Sequence, residues 1–567
     1  MSNDFEKVLI TDDKLDIQNK IKFGVFRGGS SVNYQTFNAL SKSANSQTFS
    51  IQIPSESVAV DRRVLWRCKV VIKLTGTAVR PAGVYLFDYG KTDGWAAFPL
   101  HQMVNNMTAQ INSTSVNFQT SDLLPAIMRI LPEDMLGHFN SYTPTYQDKY
   151  FDYADGVSAN NNPLGSYANS ADSKLIPRGG WYLENITESA PGVTPVVPFA
   201  ATSNTAYITV VFTEPLLMSP FTYYPCAEDE AGLMGIQNIN FNINLNPNAR
   251  IWRSATNYID TCSIHEFQTA ELLFNFVSPK PSQLIASRNS VKYYEIPRFV
   301  NEFQTFAAGS FAVPQNKQFN SATIQLNQVP QYLLVWLRKR QNSQTFKNAD
   351  LFYPIDQVSI QFNNVSGILS SASQQDLYRL SAHNHLNMPY SEWAGVGNVN
   401  QGPQTNALDN NRRLIGGPLV LMFGKDIMLQ NDYESIGSLG NYNLQVQARG
   451  INYGAQDDVE LVIATVNVGI FVSERGTSSS YTGVLTRQDV LDAQQMSPMP
   501  ESDLRRMVGK GWVENLASML KAGVANAPKV IEKICEVAPG LAKAAKGIMG
   551  EGRAGAGMSG GLAKRLK

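Results

Sequence analysis

At 567 residues the chain is long enough for two to four domains, and its 17% charged and 10% aromatic residues describe an ordered, uncharged-polar protein rather than a disordered one. Cys68, Cys226, Cys262 and Cys535 are scattered without a CxxC pair, which argues against a disulfide framework; no apolar run reaches the ~18–20 residues of a membrane-spanning helix. The net charge of zero hides an asymmetry: residues 504–567 carry 12 Lys/Arg against 4 Asp/Glu, a net of +8, so the preceding body carries −8.

The first residues, Met1-Ser2-Asn3-Asp4-Phe5-Glu6, are acidic and contain no apolar stretch of the kind a secretory signal needs. Asn-x-Ser/Thr sequons at Asn106, Asn112, Asn185 and Asn364 therefore read as accidents of an Asn- and Ser-rich composition. From Thr48 onward the readable elements are strands. Phe49 to Ile53 alternates apolar and polar residues, and Val64 to Leu74 places Val70, Ile72 and Leu74 on one face. Tyr207–Phe212, Ile239–Leu245 and Leu272–Val277 continue the series. A second set follows at Lys292–Ile296, Tyr332–Trp336, Val358–Phe362, Leu419–Phe423, Asn443–Val446 and Leu461–Val472. Helical periodicity is brief, near Ser121–Ile130 and Ser373–Leu380. Long polar loops at Tyr142–Gly180 and Met388–Asn411 read as functional or subunit-contacting segments.

One long-range repeat organises these elements. Phe98-Pro99-Leu100-His101-Gln102 with Gln110-Ile111-Asn112 is echoed by Tyr353-Pro354-Ile355-Asp356-Gln357 with Gln361-Phe362-Asn363, and each copy is followed by Asp-Leu, at Asp122-Leu123 and Asp376-Leu377. The prolines stand 255 residues apart, beyond any solenoid period, and aligning the copies needs a four-residue gap. A short helix follows each copy at a similar distance. The fold class expected is therefore mainly β: two tandem jelly rolls with short inserted helices, plus a small α-helical C-terminal tail. The expected division is an N-terminal arm over 1–22, a first jelly roll over 23–280, a second over 281–500 and a basic amphipathic tail over 501–567. In that tail Leu504, Val508, Trp512, Leu516 and Leu520 form an apolar stripe at i+4 spacing, interrupted by Gly509 and Gly511. Its lysines suit phosphate, anionic lipid or its own chain equally well.

Catalytic and metal signals are poor. His383-Asn384-His385 would put two histidines on one side of an extended chain, but no acidic or Cys ligand sits close. Cys262 and His265 lie at the start of a strand, and Glu228-Asp229-Glu230 reads as a solvated acidic loop. No GxSxG, HExxH or Walker A pattern stands in a credible context, so no catalytic residue, metal ligand or cofactor is assigned and an enzyme is not expected.

Tyr150-Phe151-Asp152-Tyr153-Ala154-Asp155-Gly156, Ala159-Asn160-Asn161-Asn162-Pro163-Leu164-Gly165 and Ile176-Pro177-Arg178-Gly179 resemble the virophage major capsid proteins. So do Phe98-Pro99-Leu100, Leu245-Asn246-Pro247-Asn248-Ala249-Arg250-Ile251-Trp252, and Arg27-Gly28-Gly29 ahead of Tyr34 and Phe37. The similarity is strongest from about residue 23 to 280 and more diffuse to about 500; Polinton-like virus capsid proteins are similar more distantly. The resemblance implies a double jelly roll standing perpendicular to a virion shell, with three copies making a pseudo-hexagonal capsomer. It implies contacts with further capsomers and with penton and other minor capsid proteins, in a virion assembled inside the host cell, in a cytoplasmic factory rather than the nucleus. DNA or an internal membrane are the partners it suggests for the tail.

It also implies a viral cysteine protease that cuts after [M/I/L]xGx before Gly, or after [M/I/L]xGG. Met507-Val508-Gly509-Lys510 precedes Gly511, Ile548-Met549-Gly550-Glu551 precedes Gly552, and Met558-Ser559-Gly560-Gly561 precedes Leu562. Roughly one match is expected by chance in the whole chain, so three near its end are an excess. The expected processing site is Met507, Gly509, Lys510 and Gly511, cut between Lys510 and Gly511. The competing readings are a carbohydrate-binding or carbohydrate-active β-sandwich protein, with Tyr142–Tyr153 as a sugar platform, and a minor capsid protein of the vertex.

Overall fold

In the strand Leu65–Thr75 burial follows the two-residue period: Trp66, Cys68, Val70, Ile72 and Leu74 are fully enclosed while Arg67, Lys69 and Lys73 face outward, and Val71, buried as well, breaks the alternation. The computed structural model describes residues 6–10, 23–27 and 29–485, apart from 56–57, 78, 90–91, 141, 146, 150, 153–182, 222–231, 281–287, 399–410, 430–433 and 484. The tail expected beyond residue 500, with its processing sequences, lies outside the described residues, as does most of the 142–180 loop.

The first half contains β1 (Gly29–Asn38), β2 (Ser46–Gln52), β3 (Leu65–Thr75), α1 (Pro99–Gln102), β4 (Val104–Ile111), β5 (Thr114–Phe118), α2 (Thr120–Met128), β6 (Thr205–Pro215), β7 (Asn238–Leu245) and β8 (Thr261–Lys280). One sheet has the order β1-β8-β3-β6 and the facing sheet β2-β7-β4-β5, all antiparallel. The second half contains β9 (Arg288–Glu295), β10 (Gln315–Asn320), β11 (Tyr332–Lys339), β12 (Ile355–Phe362), β13 (Val365–Ile368), α3 (Gln374–His383), β14 (Leu419–Met422), β15 (Leu439–Asn452) and β16 (Asp457–Glu474). Its sheets run β9-β16-β11-β14 and β10-β15-β12-β13. Each of the strands β1–β8 thus has its counterpart eight labels later in the same sheet position. This is a double jelly roll, with short strands such as Leu183–Thr187 and Thr477–Thr482 extending the sheets.

The repeat in the sequence marks equivalent turns. Asn112 and Asn363 both end the first strand of a hairpin, β4–β5 and β12–β13, with φ of 48° and 52°. Asparagine tolerates this left-handed region because its short amide bonds locally. The Asn112 N–H donates to the Asn238 carbonyl at 3.0 Å and the Asn363 N–H to the Asn443 carbonyl at 2.8 Å. The two side-chain oxygens accept from Gln237 N–H at 2.9 Å and Asn443 N–H at 3.0 Å, so each pins its hairpin to the start of the neighbouring strand. The four-residue gap is α1: Phe98, at φ 50°, starts a single helical turn with Pro99 at its first position, whereas β12 begins directly at Ile355. The Asp-Leu pairs occupy the third and fourth positions of α2 and α3, and both leucines are fully buried.

Two expectations are corrected. His383 and His385 do not stand on an extended chain: His383 ends α3, and His385 follows in the left-handed region at φ 74°. The 388–411 segment is not all loop, since Tyr390–Trp393 forms a helical turn with Trp393 buried and Val396–Asn398 pairs with Asn411–Arg413. Elements this short contain no full period to detect.

Candidate assembly site: the seam between the two jelly rolls

The two rolls share one continuous core, and a band of buried ionic groups crosses the boundary between them. Asp122 stands third in α2, in its first turn, and the residue preceding the helix, Gln119, makes no side-chain cap. Its carboxylate reaches into the second roll, receiving Arg298 at 2.7 Å and Arg338 at 2.7 Å. Arg338 also meets Glu460 at 2.6 Å. Burial by itself would make the Arg338 guanidinium less basic, but Asp122 and Glu460 outweigh it and hold the charge more firmly than usual. The duplicate residue, Asp376, does something different. It accepts from Ser373 N–H and hydroxyl while Ser373 caps the Asp376 N–H at 3.2 Å, closing a capping box on its own helix.

A second cluster surrounds Asp350. Arg253, with a fully enclosed side chain, approaches it at 2.6 Å and Arg250 at 3.4 Å. Arg250 also donates to the Thr345 carbonyl at 3.1 Å and the Gln344 side chain at 2.8 Å. Burial, and then the neighbouring Arg253, lower the Arg250 guanidinium to about 9. Arg129 donates to the Asp148 carbonyl at 2.8 Å and lies 3.8 Å from Glu392; burial lowers its pKa as well. Such groups add little net stability compared with apolar packing, but removing one partner strands a buried charge. A polar cleft of about 330 Å³ remains at the seam, lined by residues including Gln102, Asn105, Trp336 and Arg338.

The chain stitches this boundary with backbone too. Lys149 and Phe151 of the first half lie along the second: Phe151 N–H donates to the Arg413 carbonyl at 3.1 Å and Ile415 N–H to the Lys149 carbonyl at 3.0 Å. The Arg413 guanidinium lies 3.3 Å from the Phe151 ring centroid. At the β4–β5 turn, Ser113 donates to the Ser478 carbonyl at 3.1 Å and Asn112 to Thr477 at 3.3 Å. Asn112 is buried, so its sequon is occupied by these contacts.

The stretch 245–252 gains a physical role here. Asn246 Oδ1 accepts Asn248 N–H at 3.1 Å to shape the turn, Arg250 crosses the seam, and Trp252 anchors the aromatic core. Trp252 stands perpendicular to Trp95 at 4.6 Å, and its Nε1 donates to the buried Asp93 at 3.1 Å. Periodicity does not detect Asp350, Arg253 or Arg338, because an ionic residue inside a seam looks like any surface residue in the chain.

The weak metal candidates do not converge. Among the described residues no group of three His, Cys, Asp or Glu could hold a metal ion. Cys262 is buried opposite Leu74, its thiol pushed up to about 12 mainly by burial, while His265 lies on the other face against Tyr207. Residues 228–230, and Met507, Gly509, Lys510 and Gly511, lie outside the described residues. In the 383–385 run the buried residue is Asn384, which donates to the Val420 carbonyl at 2.9 Å and to Asp426 at 2.6 Å.

Burial, with Lys425 adding repulsion, lowers the His385 pKa to about 4. In the unfolded chain it titrates near ~6.5, so between these values the unfolded state takes up a proton that the folded state refuses. Stability attributable to this residue is lost as pH falls from about 6.5 toward 4. His385→Asn suits the left-handed backbone and removes the titration. Thermal melts at pH 7 and pH 5 should show a smaller acid-induced drop for the variant than for the wild type; equal drops would contradict this.

A family model described as "Sputnik virophage major capsid protein 1st domain" matches residues 3–286, and one described as "Major capsid protein V20 C-terminal domain" matches residues 296–469. The Sputnik virophage protein described as "Putative capsid protein V20" is 29% identical over 536 residues, covering 90% of this chain and 86% of its own length. A chain in the cryo-EM structure of the Sputnik virophage superposes with a TM-score of 0.73 at 28% identity, over 88% of this chain and 97% of that one. The mavirus major capsid protein crystal structure shares the fold, with a TM-score of 0.67 at 17% identity over 82% of this chain and 93% of its own. With one family model spanning the first half, a second covering most of the other, and a jelly roll in each, the chain belongs to the virophage major capsid protein family.

Proposed function

We propose that this protein is the structural subunit of an icosahedral virion shell, assembling as a homotrimer whose six jelly rolls form a pseudo-hexagonal capsomer, and that it performs no catalysis. The observation carrying this reading is family membership along both halves. Covalent duplication supports it physically: fusing two rolls sets their pairing by linkage, and the buried seam keeps them in one orientation, so three chains supply six similar tiles. We divide the chain into an arm at 1–22, jelly rolls at 23–280 and 281–500, and a tail at 501–567.

On this reading the outward partners are neighbouring capsomers, penton and other minor capsid proteins. Assembly takes place in a cytoplasmic factory of the infected cell. The basic tail serves assembly, against DNA, an internal membrane or its own trimer, and a viral cysteine protease then removes it by cutting between Lys510 and Gly511. Native mass spectrometry of the expressed chain should give trimers, and particles should yield a subunit ending at Lys510. A monomer with hexagonal assembly absent at all concentrations contradicts the shell reading; a full-length mass in mature particles contradicts the cleavage.

A further inference from the structure

The polar cleft at the seam is built differently from the ionic band around it. It opens between the start of β4 and the segment after β7 in the first roll and the turn after β11 in the second, with a volume of about 330 Å³. Clefts where two domains meet are common places for small ligands, whose sites run to roughly 300–1,000 Å³. The ionisable residues of its lining are two aspartates and two arginines, and they are paired with each other. Asp122 receives Arg338 at 2.7 Å, and Arg338 also meets Glu460 at 2.6 Å. Arg250 lies 3.4 Å from Asp350 and donates to the Gln344 side chain at 2.8 Å. An anion entering the cleft meets no guanidinium without its carboxylate, and a cation meets no carboxylate without its arginine. The lining is neutral as a whole.

What the cleft leaves unbonded is carboxamide. Seven of its lining residues are Asn or Gln. Among the described residues, the side chains of Asn105, Asn248, Gln341 and Asn342 make no hydrogen bond within the chain, and all four residues are exposed. Their backbone is nevertheless fixed. Asn105 stands on β4. Asn248 sits in a turn closed by Ala249 N–H donating to the Asn246 carbonyl at 3.1 Å, and Asn246 N–H ties that turn to the Met103 carbonyl at 2.7 Å. Gln341 and Asn342 share the single 3-10 turn Gln341–Ser343, closed by Ser343 N–H to the Arg340 carbonyl at 2.9 Å. A ligand therefore has only side chains to order, which keeps the entropic cost of binding small. Of the aromatic residues in the lining, Trp336 and Phe352 are buried and Phe346 is half-buried, so Phe346 is the ring with surface left to offer.

The geometry points to a saccharide site: the cleft binds a neutral, polyhydroxylated ligand, with sugar hydroxyls bonded by Asn105, Asn248, Gln341 and Asn342 and a C–H face of the sugar ring against Phe346. A carboxamide sets a donor beside an acceptor, which is the pattern that adjacent sugar hydroxyls can satisfy. The negative face of a phenylalanine ring suits the weakly positive C–H groups of a pyranose. A phosphate or nucleotide lacks a free cation here, and an apolar ligand would strip water from amides it cannot bond. The site belongs to the folded chain and does not depend on the shell-subunit reading.

Saturation-transfer NMR on the full chain tests this, with glucose, galactose, mannose and N-acetylglucosamine as probes and glucose 6-phosphate as the charged comparator. At least one neutral sugar should bind with a dissociation constant on the order of 1 mM. Asn105→Ala with Asn342→Ala should weaken that binding about tenfold through the loss of two ligand hydrogen bonds. Melting of this double variant should match the wild type, because neither side chain bonds within the chain. Asn117→Ala, at an exposed position on β5 outside the lining, should bind as the wild type does. No transfer to any of the neutral sugars, binding undiminished in the double variant, or glucose 6-phosphate held more tightly than glucose would each overturn the proposal.

Discussion

Asp122→Ala is expected to destabilise the folded chain by about 3–5 kcal/mol, because it leaves two guanidinium groups facing a buried site from which their carboxylate has gone. Asp122 is 7% exposed in its side chain, Arg338 is 11% and Arg298 is 25%. Glu460 still holds Arg338, but Arg298 loses its 2.7 Å partner and faces the low-dielectric boundary between the rolls. Asp376→Ala is the matched control. It removes the same residue type from the same helical position, yet forfeits only a solvent-facing capping box and an exposed pair with Arg379. Urea unfolding of both variants, analysed for midpoint and slope, separates them: the Asp122 variant should lose several times more stability. Equal losses would mean that the seam contributes nothing beyond helix capping.

Trp252→Ala carries the other large effect. The indole is fully buried between Trp95 at 4.6 Å, Phe87 at 5.3 Å and Tyr89 at 5.9 Å, so truncation leaves a cavity that rigid strands cannot close. The cavity term and the lost transfer energy together amount to about 3–5 kcal/mol. Asp93 compounds the loss, because burial already raises its pKa and the indole N–H at 3.1 Å is one of the donors stabilising its charge. Trp252→Phe keeps most of the volume and deletes that donor, so it should cost about 1–3 kcal/mol. Calorimetric or denaturant unfolding of the two variants gives the split between packing and hydrogen bonding; a phenylalanine as costly as the alanine would assign the whole effect to the hydrogen bond.

Much of the architecture was legible in the chain. Alternation over Phe49–Ile53 and Val64–Leu74 located strands whose inward residues are buried, and the Pro99/Pro354 echo located the same hairpin in both rolls. Asn112 and Asn363 stood out as residues, but their reason, a left-handed turn bonded to the next strand, appears only once β7 and β15 lie alongside. Strand β4 was missed outside the repeat because Asn105 and Asn106 interrupt its alternation, and α1 because four residues hold no helical period.

Sequence alone determined the duplication, the β class, the family resemblance and the charge break near residue 500, since these are written in local periodicity, composition and motif. Tertiary structure decided what two identical Asp-Leu pairs do. Asp376 caps its helix because water lies over it, whereas Asp122 is covered by the second roll and exchanges its cap for Arg298 and Arg338. Local sequence can specify a helix position, but which carboxylate is desolvated depends on segments more than a hundred residues away, and desolvation is what turns an ordinary acidic residue into the fastening between two domains.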